Sequence, residues 1–334
     1  MKKKLRVAVV GCGEISGNHI GAILSSGAEI CALCDVIPAK ARGRAAEFGL
    51  TDTPIYSDYT QMLEACTPDV VHICTPHDLH APMAIAALKR DINVLCEKPL
   101  CISMEQLAAL REAERESRAT LGVCHQNRFK PSMVELKKMA SVGVTGAFGS
   151  VVWKRDAAYY GSAQWRGTWT HEGGGVMINQ ALHTLDLLQW ICGMPTHVTA
   201  TVGNWTHQGV IEVEDTASAR FEGENGLPIN FFATTSAGAS LPISVQVTLA
   251  DKRKICAQNG FLIVNDEFHP VPASHGVLPG KEVWGREHAA LICEFYRCLQ
   301  SGEQFPIDVE EGGKVVRLIL SMYASNGEAI EILN

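Results

Sequence analysis

The sequence of 334 residues lacks any run of 18 consecutive apolar residues, which disfavours a helix that crosses a membrane. It also lacks a dense stripe of lysine and arginine, and its formal net charge of -7 disfavours a nucleic-acid partner because phosphates would be repelled. The basic run at positions 2–4 precedes a short apolar stretch that ends at Gly11 with no small-residue cleavage site after it. We therefore expect no signal peptide and a cytoplasmic location.

The twelve cysteines lack the spacing of a disulfide framework or a metal site. The one C-x-x-C pair, Cys31 and Cys34, lies in a strand-like segment, where residues three apart point to opposite faces. The other cysteines are scattered, most of them through apolar strand and helix patterns. We expect reduced, mostly buried thiols and no bound metal.

What the sequence does contain is a regular alternation of apolar strand-like runs and amphipathic helix-like segments through residue 125. Strands that are apolar throughout and joined by helices are typical of a parallel sheet covered on both faces. We predict an α/β, doubly wound Rossmann domain over residues 1–125. Period-two runs between Thr196 and about Val264 predict a largely antiparallel sheet, so residues 126–334 are predicted to form an α+β domain that binds the substrate.

The first predicted strand runs into a glycine-rich turn, G-C-G-E-I-S, that opens a helix. Gly11 permits the tight turn and Gly13 lets the backbone approach a pyrophosphate, while Ser16 replaces the third glycine of the usual fingerprint. Asp35 follows the second strand, where a carboxylate is expected to bind the adenosine ribose. No arginine follows it directly, so NAD is favoured over NADP, although Lys40 or Arg42 leaves NADP open.

Two further strands end in TPHDLH and EKP, at the edge of the sheet where open α/β sheets bind their ligands. Lys98 is placed there to stabilise the alkoxide that forms as a hydroxyl is oxidised. Gln126 follows the sixth strand and is equally consistent with a hinge. The residues predicted to contact the dinucleotide are Gly11, Gly13, Glu14, Ile15, Asp35, Thr75, Pro76, His77, His80, Glu97, Lys98 and Gln126.

A second set of polar residues lies on the segment GGGVMINQALHTLD. Asn179, His183 and Asp186 are four and three residues apart, which places them on one face of a helix. A lone histidine in such a position is more often a core residue. The glycine-rich approach nevertheless makes His183 a candidate general acid or base.

Taken together, GCGEIS, Asp35, TPHDLH, EKP and GGGVMINQALHTLD resemble the Gfo/Idh/MocA family of glucose–fructose oxidoreductases and inositol dehydrogenases, over essentially the whole chain. The resemblance implies that Lys98 is the catalytic lysine and His183 the histidine of the family's Asp-x-x-x-His pair. Asn179 stands where that pair has aspartate, so we expect it to orient the substrate while His183 and Lys98 handle the proton. The resemblance also implies a homodimer or homotetramer formed through the open sheet of the second domain.

The loop from residue 153 to residue 169 is rich in Trp, Tyr and Arg. Aromatic rings suit the apolar faces of sugars, and a guanidinium can hold a carboxylate or a phosphate; burial of this loop against another subunit is an equally open interpretation. The residues predicted to contact the substrate are Arg155, Tyr159, Trp165, Arg166, Asn179 and His183.

The sequence thus predicts an NAD(P)-dependent oxidoreductase that converts a hydroxyl of a sugar, inositol or nucleotide-sugar-like substrate to a ketone, or the reverse. Two alternatives stay open at this point. One is an NAD-dependent glycoside hydrolase of the same fold, and the other is a non-catalytic dinucleotide-binding protein.

Overall fold

A computed structural model describes residues 4–258, 260–272 and 287–334. The chain divides into two compact units, of which the first comprises Met1–Gln126 and His275–Gly313 and the second Asn127–Ser274 and Lys314–Asn334. The predicted domain limits of 1–125 and 126–334 stay a prediction. They assign residues 287–313 to the second domain, whereas the structure groups this segment with the first unit, because helical periodicity in a sequence does not indicate which core a helix will join.

The first unit is built on a six-stranded parallel sheet in the order β3-β2-β1-β4-β5-β6. Its strands are β1 (Arg6–Val10), β2 (Glu29–Cys34), β3 (Ile55–Tyr56), β4 (Val70–Ile73), β5 (Asn93–Cys96) and β6 (Leu121–Val123). The helices between them are α1 (Ser16–Ser25), α2 (Pro38–Glu47), α3 (Tyr59–Cys66), α4 (His80–Leu88) and α5 (Met104–Glu116). This order confirms the predicted doubly wound fold, whose direction of winding reverses between β1 and β4.

The unbroken apolar sequences of these strands correspond to burial on both faces of the sheet, as in β4, where every residue is buried. Helix α5 begins after Ser103, whose hydroxyl accepts the Gln106 backbone N–H. The Gln106 side chain returns to the Ile102 backbone N–H at 2.9 Å and satisfies a second donor at this helix start.

The second unit is built on a nine-stranded sheet in the order β14-β13-β12-β11-β7-β10-β9-β8-β15, antiparallel except where β10 pairs with β7. Its strands are β7 (Val144–Val152), β8 (His197–Gly203), β9 (Thr216–Glu222), β10 (Pro228–Thr234), β11 (Ser244–Leu249), β12 (Lys254–Gln258), β13 (Phe261–Val264), β14 (Glu267–Pro270) and β15 (Ile330–Glu331). Its helices are α6 (Pro131–Met139), α7 (Ala157–Gly161), a π-helix (Met177–Ala181), α8 (Leu182–Cys192) and α10 (Val309–Ser325), of which the last begins in the first unit. The predicted, largely antiparallel second sheet is confirmed.

One face of the second sheet carries the core, and the other face is open. Alternate residues of β7, such as Ala147 and Val151, join the buried cluster with the side chains of α8 and α10. Phe148 and Phe232 point to the opposite face and remain 38% and 37% exposed in the chain. The returning helix α9 (Glu287–Ser301) belongs to the first unit, where it packs against α1.

The structure shows the burial of all twelve cysteines and the length of each described helix. All twelve thiols are free; nine are buried, Cys192 and Cys256 are half-buried and Cys293 is exposed, which confirms the prediction that the cysteines are mostly buried. No described helix combines the length and the apolar character needed to cross a bilayer.

Candidate active site

The glycine-rich turn lies between β1 and α1, where the carboxyl ends of the strands meet. Gly11 has a φ of +83°, and a Cβ there would come within 2.5 Å of the Cys74 backbone, so a side chain cannot be accommodated. Asp35, at the end of β2, accepts the backbone N–H of Cys12 at 2.8 Å and that of Ile37 at 2.8 Å. The carboxylate is thereby locked beside the turn, where the sequence predicted the ribose-binding group.

The residues around this turn fit a dinucleotide. A Cβ built on Gly13 would meet no protein atom within 4 Å, so there is open space over the start of α1. Gln126, which is 6% exposed, has a buried Oε1 with no hydrogen-bond partner among the described residues. Open backbone at a helix start suits a pyrophosphate, and an unsatisfied amide oxygen suits a ligand donor.

The sequence did not single out the arginine that braces this turn. Arg44, on α2, donates from Nη2 to the Gly13 carbonyl at 2.9 Å and pairs through Nη1 with Glu47. The Arg44 guanidinium is thus held by a hydrogen bond to the backbone of the turn. The predicted contact residues Glu14 and Ile15 lie at the start of α1, exposed and half-buried respectively.

His80 links the segments that follow β4 and β5, which the sequence analysis predicted to lie at the ligand-binding edge of the sheet. Its Nε2 lies 2.8 Å from the Thr75 carbonyl and its Nδ1 lies 2.6 Å from the Pro99 carbonyl. Burial lowers the pKa of His80, whereas both carbonyl acceptors favour the protonated ring. The neighbouring Pro76 is half-buried and His77 is buried. Thr75, Pro76, His77 and His80 therefore lie together at the end of β4.

Lys98 follows the end of β5, as predicted, and is half-buried. The preceding Glu97 is only 5% exposed, and its carboxylate accepts hydrogen bonds from His19, His288 and the Lys98 backbone N–H. Glu97 is thus engaged inside the first unit, and its predicted contact with the dinucleotide stays a prediction.

In the second unit, the buried Glu214 explains why glycine stands at position 175, just before the polar helix. Glu214 accepts the backbone N–H groups of Gly175 at 3.0 Å and Met177 at 2.9 Å, together with the Tyr323 hydroxyl at 3.0 Å. A Cβ on Gly175 would lie 1.9 Å from the Glu214 carbonyl oxygen, so this position requires glycine. Burial raises the pKa of Glu214 to about 7.

The helix carrying Asn179 and His183 differs from the regular helix that the sequence predicts. Residues Met177–Ala181 form a π-helix that leads into α8, and such turns are frequent at functional sites. The Asn179 side-chain amide donates from Nδ2 to Oε1 of the buried Glu172. This contact fixes the orientation of the amide, and the substrate-orienting role predicted for Asn179 stays a prediction. His183 lies half-buried near the start of α8.

Asp186, the third polar residue of that segment, has a structural partner. Arg128 donates from Nε to Oδ2 at 2.8 Å and from Nη2 to Oδ1 at 2.6 Å, and both side chains are buried. The sequence offered no signal for this pairing, since the two residues lie 58 positions apart.

The predicted substrate loop forms a cluster of cations and rings. The guanidinium carbons of Arg155 and Arg166 lie 4.8 Å and 4.4 Å from the centroid of the Tyr159 ring, and Arg166 also lies 4.9 Å from that of Trp165. The Tyr159 hydroxyl accepts hydrogen bonds from Arg166 and from Nε2 of Gln180, at 3.0 Å for the latter. The structure thus brings Arg155, Tyr159, Trp165 and Arg166 together, next to the helix of Asn179.

Neither guanidinium of this cluster is neutralised within the described residues. Arg155 and Arg166 form no ion pair there, and the Nε–H of each is buried without a hydrogen-bond partner. The positive charges of Arg155 and Arg166 are therefore not compensated among the described residues, which suits an anionic ligand.

Comparison with known proteins agrees with this geometry. Residues 5–125 match the model of the Gfo/Idh/MocA oxidoreductase family described as an NAD-binding Rossmann fold, and residues 133–251 match the C-terminal domain model of the same family.

Among curated proteins, D-glucoside 3-dehydrogenase of Escherichia coli is 29% identical over 57% of this chain and 55% of its own length. Inositol 2-dehydrogenase 2 of Saccharopolyspora erythraea is 28% identical over 70% of this chain and 68% of its own length. The chain thus matches just over half of the first relative and about two thirds of the second.

Among solved structures, the WlbA dehydrogenase of Bordetella pertussis, in complex with NADH and UDP-GlcNAcA, is 28% identical with a TM-score of 0.85. That match covers 99% of this chain and 100% of the other. The chain therefore belongs to the Gfo/Idh/MocA oxidoreductase family, and its first part is an NAD-binding Rossmann domain.

Proposed function

We propose that this chain is an NAD-dependent dehydrogenase that oxidises a hydroxyl of a sugar, an inositol or a nucleotide-linked sugar to a ketone, or catalyses the reverse reaction. The observation that carries the proposal is Lys98 at the carboxyl end of β5, in a sheet whose first turn fits a dinucleotide. The names of the relatives support the substrate class, since they are dehydrogenases of glucosides, inositols and a nucleotide sugar.

NAD, when bound, supplies the hydride acceptor, and the chain supplies orientation and proton chemistry. The turn from Gly11 to Ile15 would hold the pyrophosphate, Asp35 the adenosine ribose, and Gln126 would contribute its amide. We assign removal of the hydroxyl proton to His183, with the Lys98 ammonium stabilising the developing negative charge on oxygen, or to Lys98 in its neutral amine form, which becomes the ammonium as it takes the proton. Asn179, held by Glu172, orients the substrate hydroxyl.

We further propose that the substrate carries an acidic group, a carboxylate or a phosphate, held by Arg155 and Arg166. Stacking on Tyr159 fixes both guanidiniums, so little side-chain freedom is lost on binding. Gln180 connects this cluster to the helix of Asn179 through the Tyr159 hydroxyl. The acidic group would then bind near Asn179, within the second unit.

The test is the absorbance of NADH at 340 nm with NAD or NADP and matched pairs of substrates. The pairs are glucose with glucuronate, galactose with galacturonate, and myo-inositol with an inositol phosphate. The proposal expects NADH to accumulate with NAD and preferentially with an acidic member. Turnover of glucuronate or galacturonate would indicate a site for a carboxylate, and turnover of the inositol phosphate would indicate a site for a phosphate.

The two alternative functions have different signatures in the same assay. Release of nitrophenol from nitrophenyl glycosides without net NADH would favour the glycoside hydrolase. Binding of NADH without turnover of any sugar or glycoside would favour a dinucleotide-binding protein. Either result would contradict the proposed dehydrogenase.

We also propose that the chain acts in the cytoplasm as a homodimer or homotetramer, joined through the open face of the second sheet. The exposed Phe148 and Phe232 on that face support this assembly. Light scattering of the Phe232→Arg variant should show a smaller particle than the unchanged protein. A monomeric unchanged protein would rule the assembly out.

A further inference from the structure

Glu172 joins two segments of the second unit through a buried carboxyl group. Its Oε1 accepts a hydrogen bond from Nδ2 of Asn179, which lies in the π-helix. Its Oε2 accepts the backbone N–H of Gly167, which lies in the loop from residue 153 to residue 169, called the aromatic loop below. Glu172 is 1% exposed, so bulk water cannot readily replace either of these donors.

The contact on the side of Gly167 is rigid. Gly167 has a φ of +71°, and a Cβ there would lie 2.5 Å from Cγ2 of Ile211. Its carbonyl accepts the backbone N–H of Glu212 at 2.8 Å, and the Glu172 backbone N–H donates to the Thr168 carbonyl at 3.1 Å. A backbone N–H can only donate, so this side of the contact requires an acceptor.

The contact on the side of Asn179 requires a donor. An ionised carboxylate can only accept, so the Asn179 amide must turn its Nδ2 towards Oε1 of Glu172. An aspartate at position 179 would bring a second carboxylate against a buried one, and one of the two would have to take up a proton. The contact therefore accounts for asparagine at the position where the family's pair has aspartate.

Two tyrosines experience the charge of Glu172 from neighbouring helices, Tyr160 in α7 and Tyr323 in α10. Burial raises the pKa of Tyr160 to about 12 and that of Tyr323 well above its usual value, and the charge of Glu172 contributes to both shifts. The Tyr160 hydroxyl lies 2.8 Å from Oγ1 of Thr235, and the Tyr323 hydroxyl donates to Glu214 at 3.0 Å. Both phenols thus stay neutral and bind elsewhere, and neither replaces the amide as a donor to Glu172.

A second bridge connects the same two segments. Nε2 of Gln180, the residue after Asn179, donates to the Tyr159 hydroxyl at 3.0 Å, and this hydroxyl also accepts a hydrogen bond from Arg166. Arg166 directly precedes the residue whose backbone N–H is bound by Glu172. The two bridges together hold Asn179 and Arg166 in one arrangement.

We propose that Glu172 is a positioning residue that requires asparagine at position 179 and connects it to the arginine of the aromatic loop. One carboxylate oxygen fixes which end of the Asn179 amide faces Glu172, and the other fixes the backbone beside Arg166. The acid and the amide can then be substituted only together, as an exchanged pair. The catalytic meaning of this inference rests on the proposed function.

The test is a double-substitution cycle in the full-length chain, with the melting temperature as the first readout. Asn179→Asp should lower the melting temperature by about 5 °C, because two carboxylates meet. Glu172→Gln should lower it by about 3 °C, because a single amide oxygen cannot accept from both donors. The combined variant should lie within about 2 °C of the unchanged protein, since the glutamine then accepts the Gly167 N–H and donates to the aspartate. The exposed-site control Asn225→Asp should shift by less than about 1 °C.

The second readout is kcat with a substrate that turns over. Each single variant should lose about 30-fold in kcat, because the residue at position 179 is displaced, and the combined variant should return to within about threefold of the unchanged protein. A recovered melting temperature with an unrecovered kcat would make Glu172 a structural residue and overturn its positioning role.

The outcomes separate this inference from the proposed function. Additive losses of stability, with the combined variant worse than either single variant, overturn the inference even if the enzyme oxidises sugars. An Asn179→Asp protein as stable as the unchanged chain would indicate a protonated Glu172 and would also overturn it. A recovered melting temperature in a protein that oxidises no sugar contradicts the proposed function and leaves the Glu172 pair intact.

The test remains decisive if a single variant does not fold. A combined variant that folds where Asn179→Asp does not would support the exchanged pair. A combined variant that also fails to fold would overturn it.

Discussion

The Glu97 carboxylate of the first unit and the two arginines Arg155 and Arg166 of the second unit differ in how the protein satisfies their charges. In the first, the Glu97 carboxylate accepts hydrogen bonds from His19, His288 and the Lys98 backbone, all within its own unit. In the second, Arg155 and Arg166 flank Tyr159, and neither meets an acidic side chain among the described residues. A charge that the protein satisfies stabilises its own structure, whereas a charge without a protein partner is left to solvent or to a ligand.

The largest effect should come from substitution of Lys98, the residue that follows Glu97. Lys98→Ala should lower kcat by about 10³-fold, because stabilisation of the developing charge on oxygen is lost. The Kd of NADH, measured by fluorescence, should change less than about threefold. Near-normal turnover in this variant would remove Lys98 from the mechanism.

The next effect concerns the stability of the first unit. His19→Leu should lower the free energy of unfolding in urea by about 3 kcal/mol, because it removes a donor from a buried carboxylate. His197→Leu, at an exposed position on β8, is the control and should stay within about 0.5 kcal/mol. Equal effects of the two substitutions would show that His19 does not stabilise the Glu97 carboxylate.

Substitution of Arg155 or Arg166 should affect substrate binding rather than folding. Arg155→Met and Arg166→Met should each raise the KM for an acidic substrate by about 30-fold, the worth of a hydrogen bond to a charged group. The KM for the neutral sugar of the same pair should change little. In the exposed-site control Lys252→Met, the KM values for the acidic and the neutral sugar should both change little. A changed oligomeric state with unchanged KM would instead assign this loop to a subunit interface.

The smallest effect comes from a second acid in the first unit that has fewer donors than Glu97. Burial, with the charges of Asp308 and Glu310, raises the pKa of Glu114 to about 7. A raised pKa in the folded state means that stability is lost as pH rises from about 4.5 to 7. Glu114→Gln should therefore gain about 1 kcal/mol relative to the unchanged protein between pH 5 and pH 8 in urea unfolding. If the difference in unfolding free energy between Glu114→Gln and the unchanged protein stayed constant from pH 5 to pH 8, the raised pKa of Glu114 would be contradicted.

The fold and much of the candidate site could be predicted because both depend on local patterns. The turn at Gly11, the carboxylate at Asp35 and the lysine after β5 are each set by a few consecutive residues. The capping of α5 by Ser103 is local in the same way.

The features that escaped prediction depend on residues far apart in the chain. His19, His72 and Tyr296 read as scattered polar residues in apolar segments, and only the folded sheet brings them to Glu97. The pairing of Arg128 with Asp186 is similar. The π-helix at Asn179 is a local feature and escaped prediction for another reason. Helical spacing alone cannot distinguish a π-turn, because the apolar pattern continues through it.

The central claim, net transfer of hydride from a sugar-type carbon to NAD, has one direct measurement. A substrate that turns over is deuterated at the oxidised carbon, and the mass of the NADH formed is determined. The account predicts NADH heavier by one deuterium in proportion to the ketone produced. Product formation with unlabelled NADH, or with the deuterium returned to the sugar, would contradict it.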